Sequence, residues 1–308
     1  YETDYNNLGL FAEYQWSFWE DKIKWLVGGR LDVAEPYGTF GTGRSQIRIE
    51  PVPNHVFRLS TGNAWRQVNL FAENIQLLAS NRDVIIEEWP LDAEQSWNWG
   101  VNYTYTLAGD DWSAYLSADY YQTRFSNQFF PDYDREVAKA FVSNEGTPAL
   151  SNAFQIEGRI NWNTVWEMKA AYNYLDIRRE QEGGDILVPF IPRHRMMAAL
   201  SYRPEGDRWY FDLNAHYYGP QRLPNTEQYP DNLQRGAFSP DYATLNAQIT
   251  YKWSVFDFYM GVENATDFRQ RRPILNYQNP FEATFDPAFI WGPTRGREFY
   301  LGIRYRIP

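Results

Sequence analysis

Side chains able to make or break bonds are few and scattered in this chain. There is no cysteine, so a thiol nucleophile, a disulfide and a thiolate metal site are all excluded. The three histidines, His55, His194 and His216, do not cluster in sequence, and neither an H-E-x-x-H helix nor a P-loop occurs. Gly38-Thr39-Phe40-Gly41-Thr42-Gly43 has the glycines of a nucleotide loop but lacks its lysine and its strand–loop–helix setting. No pair of carboxylates is singled out for glycoside hydrolysis. These residues mark no catalytic residue, no cofactor site and no metal site. What remains is recognition. Arg222, Arg271, Arg272, Arg295 and Arg297 could grip an anionic ligand, because guanidinium pairs bidentately with carboxylates and phosphates; the simpler reading of each is pairing with a neighbouring carboxylate. Tyr218 could stack on a ligand. Glu87, Glu88, Asp92 and Glu94 could hold a hard cation, or form a solvated acidic loop. The net charge of −10 argues against nucleic acid as a partner.

The elements that position these residues are strands. From 97 to 107, Trp97, Trp99, Val101, Tyr103, Tyr105 and Leu107 alternate with Asn98, Gly100, Asn102, Thr104 and Thr106. From 243 to 253, Ala243, Leu245, Ala247, Ile249, Tyr251 and Trp253 alternate with Thr244, Asn246, Gln248, Thr250 and Lys252. This period of two marks strands with one apolar and one polar face. It also explains how a chain with 18% aromatic residues has a mean hydropathy of −0.61. Runs of about 9–11 residues suit a tilted strand crossing the hydrocarbon layer. No stretch is long and apolar enough for a membrane helix.

Thirteen strands are expected, near 7–18, 23–34, 43–51, 55–64, 96–107, 112–125, 152–162, 166–178, 194–203, 208–218, 242–253, 255–265 and 297–307. Short connections alternate with long ones at 66–95, 126–151, 179–193, 219–241 and 266–296, with an intermediate one at 35–42. That is the outer-membrane pattern of short periplasmic turns and long extracellular loops. Trp16, Trp19, Trp25, Trp112, Trp162, Trp166, Trp209 and Trp253 all lie beside short turns, as an aromatic girdle at one interface requires. His216 falls on the polar face, His55 at a solvated turn, and His194 at a loop end. Single-chain barrels have an even number of strands, so thirteen implies that at least one further strand precedes residue 1.

Several segments carry a family resemblance. Trp291-Gly292-Pro293-Thr294-Arg295-Gly296-Arg297 and the strand after it, Gly261-Val262-Glu263-Asn264-Ala265-Thr266-Asp267-Phe268, Asn63-Ala64-Trp65-Arg66-Gln67-Val68-Asn69-Leu70-Phe71-Ala72-Glu73, and Tyr218-Gly219-Pro220-Gln221-Arg222-Leu223-Pro224-Asn225 together resemble TonB-dependent receptors, most of all those of Bacteroidota. The resemblance runs from about residue 8 to the end; the terminal Pro308 departs from the usual final aromatic. It implies an all-β transmembrane antiparallel barrel of about 22 strands around a plug, of which residues 1–308 are one C-terminal barrel portion, with plug and earlier strands outside this sequence. It further implies TonB-dependent import of a scarce siderophore, metal chelate or cobalamin-like ligand; a passive or selective porin is the alternative. The implied location is the bacterial outer membrane with long loops extracellular. The implied partners are the TonB–ExbB–ExbD complex, a small-molecule or metal-chelate ligand, outer-membrane lipid and lipopolysaccharide, and optionally a surface lipoprotein. Ligand contacts are expected from Arg66, Glu73, Tyr218, Arg222, Arg271, Arg272 and Arg295.

Overall fold

The structure is a computed structural model and describes residues 5–144, 148–180 and 184–307. Thirteen strands pair in series, each antiparallel to the next: β1 (Asn6–Phe18), β2 (Ile23–Glu35), β3 (Gly38–Ile49), β4 (His55–Arg66), β6 (Glu94–Ala108), β7 (Trp112–Phe125), β9 (Ala149–Trp162), β10 (Trp166–Arg179), β12 (His194–Tyr202), β13 (Trp209–Tyr218), β14 (Tyr242–Trp253), β15 (Phe256–Glu263) and β16 (Glu298–Tyr305). β11 (Ile186–Leu187) adds two residues beside β10. Among the described residues β1 and β16 do not pair with each other, so the sheet has two open edges.

The register confirms the aromatic rim. Trp16 faces Trp25. Trp112, Trp162 and Trp166 form one row across three strands and continue into Tyr202 and Phe211. These tryptophans are 37–55% exposed along that row, which a soluble core would not allow and a lipid interface requires. His55 belongs to the same apolar face. Its Nδ1 lies 2.8 Å from the Tyr103 hydroxyl and its ring stacks on Tyr105, so the expectation of a merely solvated turn histidine is corrected.

Short turns close the rim end. Glu20 and Asp21, and Asn163 and Thr164, all have positive φ, and Lys22 and Val165 donate back to Trp19 and Trp162, as type I′ hairpins do. At the other end the connection 35–42, expected to be of intermediate length, is instead a two-residue turn between β2 and β3. Gly38 takes φ +105 there, which its missing Cβ permits; the glycines that looked loop-like lie within β3.

The remaining connections at that end are not structureless. They hold α1 (Leu70–Glu73), α2 (Gln76–Ala79), a parallel pair of β5 (Asp83–Ile86) with β8 (Lys139–Val142), and a 3-10 turn at Pro287–Phe289. Val68, Leu70, Leu77, Leu91, Phe129, Tyr133, Ala140 and Val142 bury one core beneath these loops, and Tyr229, Leu275 and Phe289 bury a second. Each long loop alone has too little apolar surface to order its backbone; sharing it does.

Candidate functional site

On the polar face at the long-loop end, β13 and β14 place Tyr218 opposite Tyr242. Their rings stack at 4.8 Å, and Tyr242 stacks in turn on Phe268 at 4.7 Å with an interplanar angle of 7°. Trp291 tilts against both Tyr242 and Phe268. Arg195, the register partner of Tyr218 on β12, is exposed. Gln270 fixes the loop behind the stack: its side chain donates to the Phe289 carbonyl and accepts from the backbone of Trp291 and Gly292.

Beside the stack lies a pocket of about 330 Å³ between the 219–241 and 264–297 loops. Phe238, Phe268, Phe289 and Trp291 supply apolar walls; Arg235, Arg269 and Arg271 supply charge. Burial, and then the neighbouring Arg272, hold the Arg235 guanidinium below its ordinary range. Arg269 is 2.9 Å from Asp267. Asp267 also accepts from the Arg297 backbone amide at 2.9 Å, and that bond followed by Arg269 holds its carboxyl below the usual range. Arg271 and Arg272 are exposed, and neither side chain has an ion pair or hydrogen bond among the described residues. The pocket therefore combines cations with flat apolar surface, suited to an anionic ligand bearing aromatic groups.

Most other expected contacts hold the loops in place. Arg66 pairs with buried Glu94 and, at 2.9 Å, with Glu73. Glu73 also accepts from the Asn69 amide while Asn69 caps Ala72, a reciprocal cap. Arg222 is 2.7 Å from Asp134, which Arg179 also approaches and which accepts from the Asn225 amide. Arg295 sits 3.6 Å from Glu298, and Arg297 donates to the Ala265 carbonyl. The acidic stretch does not converge: Glu87 pairs with Arg135, Glu88 accepts from Ser143, and Glu94 accepts from the Phe129 amide. No cluster fit to hold a metal occurs among the described residues. His194 lies on the apolar face against Tyr172, and His216 on the polar face opposite Thr244.

Two fasteners were not foreseen. Arg82 and Asp286 form an ion pair at 2.5 Å with both side chains 1% exposed. Arg82 also donates to the Lys139 carbonyl and lies over Tyr133. Asn264, buried after β15, binds the Phe268 and Arg295 carbonyls and accepts from the Phe268 amide and the Thr266 hydroxyl. The Asn-x-x-Asp-aromatic sequence is thus a turn lock that delivers Phe268 to the stack.

A family model described as TonB dependent receptor-like, beta-barrel, matches residues 1–265. The chain belongs to that family. Among solved structures, a variant of the ferric enterobactin receptor of Pseudomonas aeruginosa is 18% identical with a TM-score of 0.71, covering 97% of this chain and 44% of that one. The ferric-catecholate import receptor Fiu of E. coli K12 is 13% identical with a TM-score of 0.70, over 97% and 44%. The FrpB iron transporter of Neisseria meningitidis is 13% identical with a TM-score of 0.67, over 98% and 45%. At these identities the likeness is one of fold, and the chain spans less than half the length of these proteins. No curated protein sequence matches it.

Proposed function

We propose that this chain is the C-terminal wall of an outer-membrane importer that works through TonB, with its long loops outside the cell. The plug and the strands that close the sheet between β16 and β1 would come from other parts of the same polypeptide, consistent with two open sheet edges and with coverage of 44% of the enterobactin receptor. TonB with ExbB and ExbD would supply the energy through the plug, and bilayer lipid would cover the aromatic-rimmed face. No bond is broken in this cycle; the ligand is bound and released.

The observation that carries the ligand class is the pocket that sets Arg235, Arg269 and Arg271 among Phe238, Phe268 and Trp291. It favours an anionic metal chelate with aromatic groups. Arg271 would make first contact, and the Tyr218–Tyr242 stack would lie on the way inward. Binding of a ferric catecholate chelate to the purified full-length receptor tests this reading. Arg271→Glu is expected to weaken binding by about tenfold or more, the worth of one charge-assisted contact. Unchanged affinity would remove the pocket from the binding path. Uptake by iron-limited cells should stop on addition of a protonophore; uptake that continues would point to a diffusional pore.

A further inference from the structure

Two of the pocket's cations are presented by a backbone that is held from outside the pocket. Arg269 and Arg271 flank Gln270 in sequence, and all three line the cavity. The Gln270 side chain, 6% exposed, donates to the Phe289 carbonyl at 2.7 Å. It accepts from the Trp291 amide at 2.8 Å and from the Gly292 amide at 3.1 Å. Its own amide donates to the Pro293 carbonyl at 2.8 Å. The direction in which Arg269 and Arg271 leave the chain is therefore set by where residues 289–293 lie.

That segment is anchored at its start by Asp286, which uses both carboxylate oxygens. Oδ1 accepts from the Ala288 amide at 2.8 Å and caps the Pro287–Phe289 turn. Oδ2 accepts from Arg82 Nε. The Asp286 backbone exchanges two hydrogen bonds with Leu275, at 2.8 and 3.1 Å. The Arg82 guanidinium in turn donates to the Lys139 carbonyl and lies over the rings of Tyr133 and Phe289. Asn81, beside it, donates its amide to the Phe285 carbonyl at 3.1 Å and its side chain to the Pro280 and Glu282 carbonyls. Arg82 is sealed in the loop core and does not line the pocket. Its path to the pocket runs through Asp286, the turn, Phe289 and Gln270.

We propose that Arg82 is a positioning residue for ligand binding: through Asp286 it sets the segment on which Gln270 aligns Arg269 and Arg271. This rests on the reading of that pocket as the ligand site. Without the guanidinium, the Asp286 charge is left buried and uncompensated. The carboxylate is then released from the core, and the turn that it caps goes with it. The pocket is formed for only a fraction of the time, and the apparent affinity falls by that fraction. Linkage makes the effect reciprocal: a bound ligand must tighten the Arg82–Asp286 joint by the same factor.

The test measures binding of a ferric catecholate chelate to the full-length receptor in detergent, with Arg271→Glu as the reference. Arg82→Ala should weaken binding about tenfold, as should Gln270→Leu, if each leaves the pocket formed about a tenth of the time. The double variant should bind no more weakly than Gln270→Leu alone, because both changes release the same segment. A general loosening of the loops would instead multiply the two losses to about a hundredfold. In the unaltered receptor, saturating chelate should slow hydrogen exchange of the Asn81 amide, which lies on the far side of the joint, by about the factor that Arg82→Ala costs in affinity. Arg271→Glu weakening binding while Arg82→Ala leaves it unchanged would overturn the positioning role and leave the pocket as the ligand site. Multiplicative losses in the double variant, or Asn81 exchange unmoved by chelate, would overturn it equally. Binding unchanged by Arg271→Glu would remove the pocket itself from the binding path, and the positioning role with it.

Discussion

At the scale of single residues, exposure and partnership separate binding from support. Arg271 is exposed, with no ion pair or hydrogen bond among the described residues, so Arg271→Ala should change stability by less than about 0.5 kcal/mol while lowering ligand affinity. Arg82 is the opposite case. Removing one member of a buried pair leaves an uncompensated charge, at a cost of about 3–5 kcal/mol. Arg82→Ala should therefore open the 67–93 and 264–297 loops to protease while the sheet stays intact; replacing Arg82 with Met and Asp286 with Leu together should restore much of the resistance. Asp267 sets a pH dependence. Its folded carboxyl is held low by the Arg297 amide and then Arg269, so its contribution is present above the unfolded value of about 3.9 and is lost as pH falls through the folded value. Hydrogen exchange in residues 264–297 should rise on acidification below about pH 4, and Asp267→Asn should remove that step. None of these roles could be read from residue type. Arg222 and Arg271 look alike in sequence, and only the return of Asp134 from a different loop makes the first a fastener. Arg235 was missed because nothing near it in sequence marks the pocket it enters.

At the scale of elements, legibility followed range. The strand alternation was readable because a side chain's face is fixed by its immediate neighbours. All thirteen strands of the main sheet were foreseen, with ends displaced by a few residues. The short turns were also readable, and they invite a test. Thr164 is β-branched and holds φ +56, a conformation that favours glycine. Thr164→Gly would give the Asn-Gly pair of an ideal type I′ turn. It should raise the stability of the β9–β10 hairpin by about 1 kcal/mol, measured as a higher unfolding temperature in detergent; a lower temperature would show that the Thr164 hydroxyl bond to Glu205 matters more. The elements inside the loops were not readable. α1, α2, β5 and β8 have four residues each, too short for either period to show, and β5 meets β8 only through tertiary packing.

At the scale of the whole molecule, the outer aromatic rim and the ordered loop layer bracket a wall whose polar face leads from the cationic pocket toward the short turns. Family membership and fold agree with the resemblance carried by the closing segments, whereas the cargo depends on loop positions that period and spacing do not reveal. The source protein should have a mass about twice that of this chain, given coverage of 44% of the ferric enterobactin receptor; intact-mass measurement of the native protein decides this directly.

The Arg82–Asp286 pair joins residues 204 positions apart. Contacts of such separation form late, because the intervening chain must be ordered first. Asp286 lies only twelve residues before β16 begins at Glu298. The loops therefore knit together only after the strands between residues 82 and 286 have been laid side by side, and the closed loop layer reports on the wall beneath it. In a time course of membrane insertion, protease resistance of the loops should appear last, after the sheet itself resists unfolding.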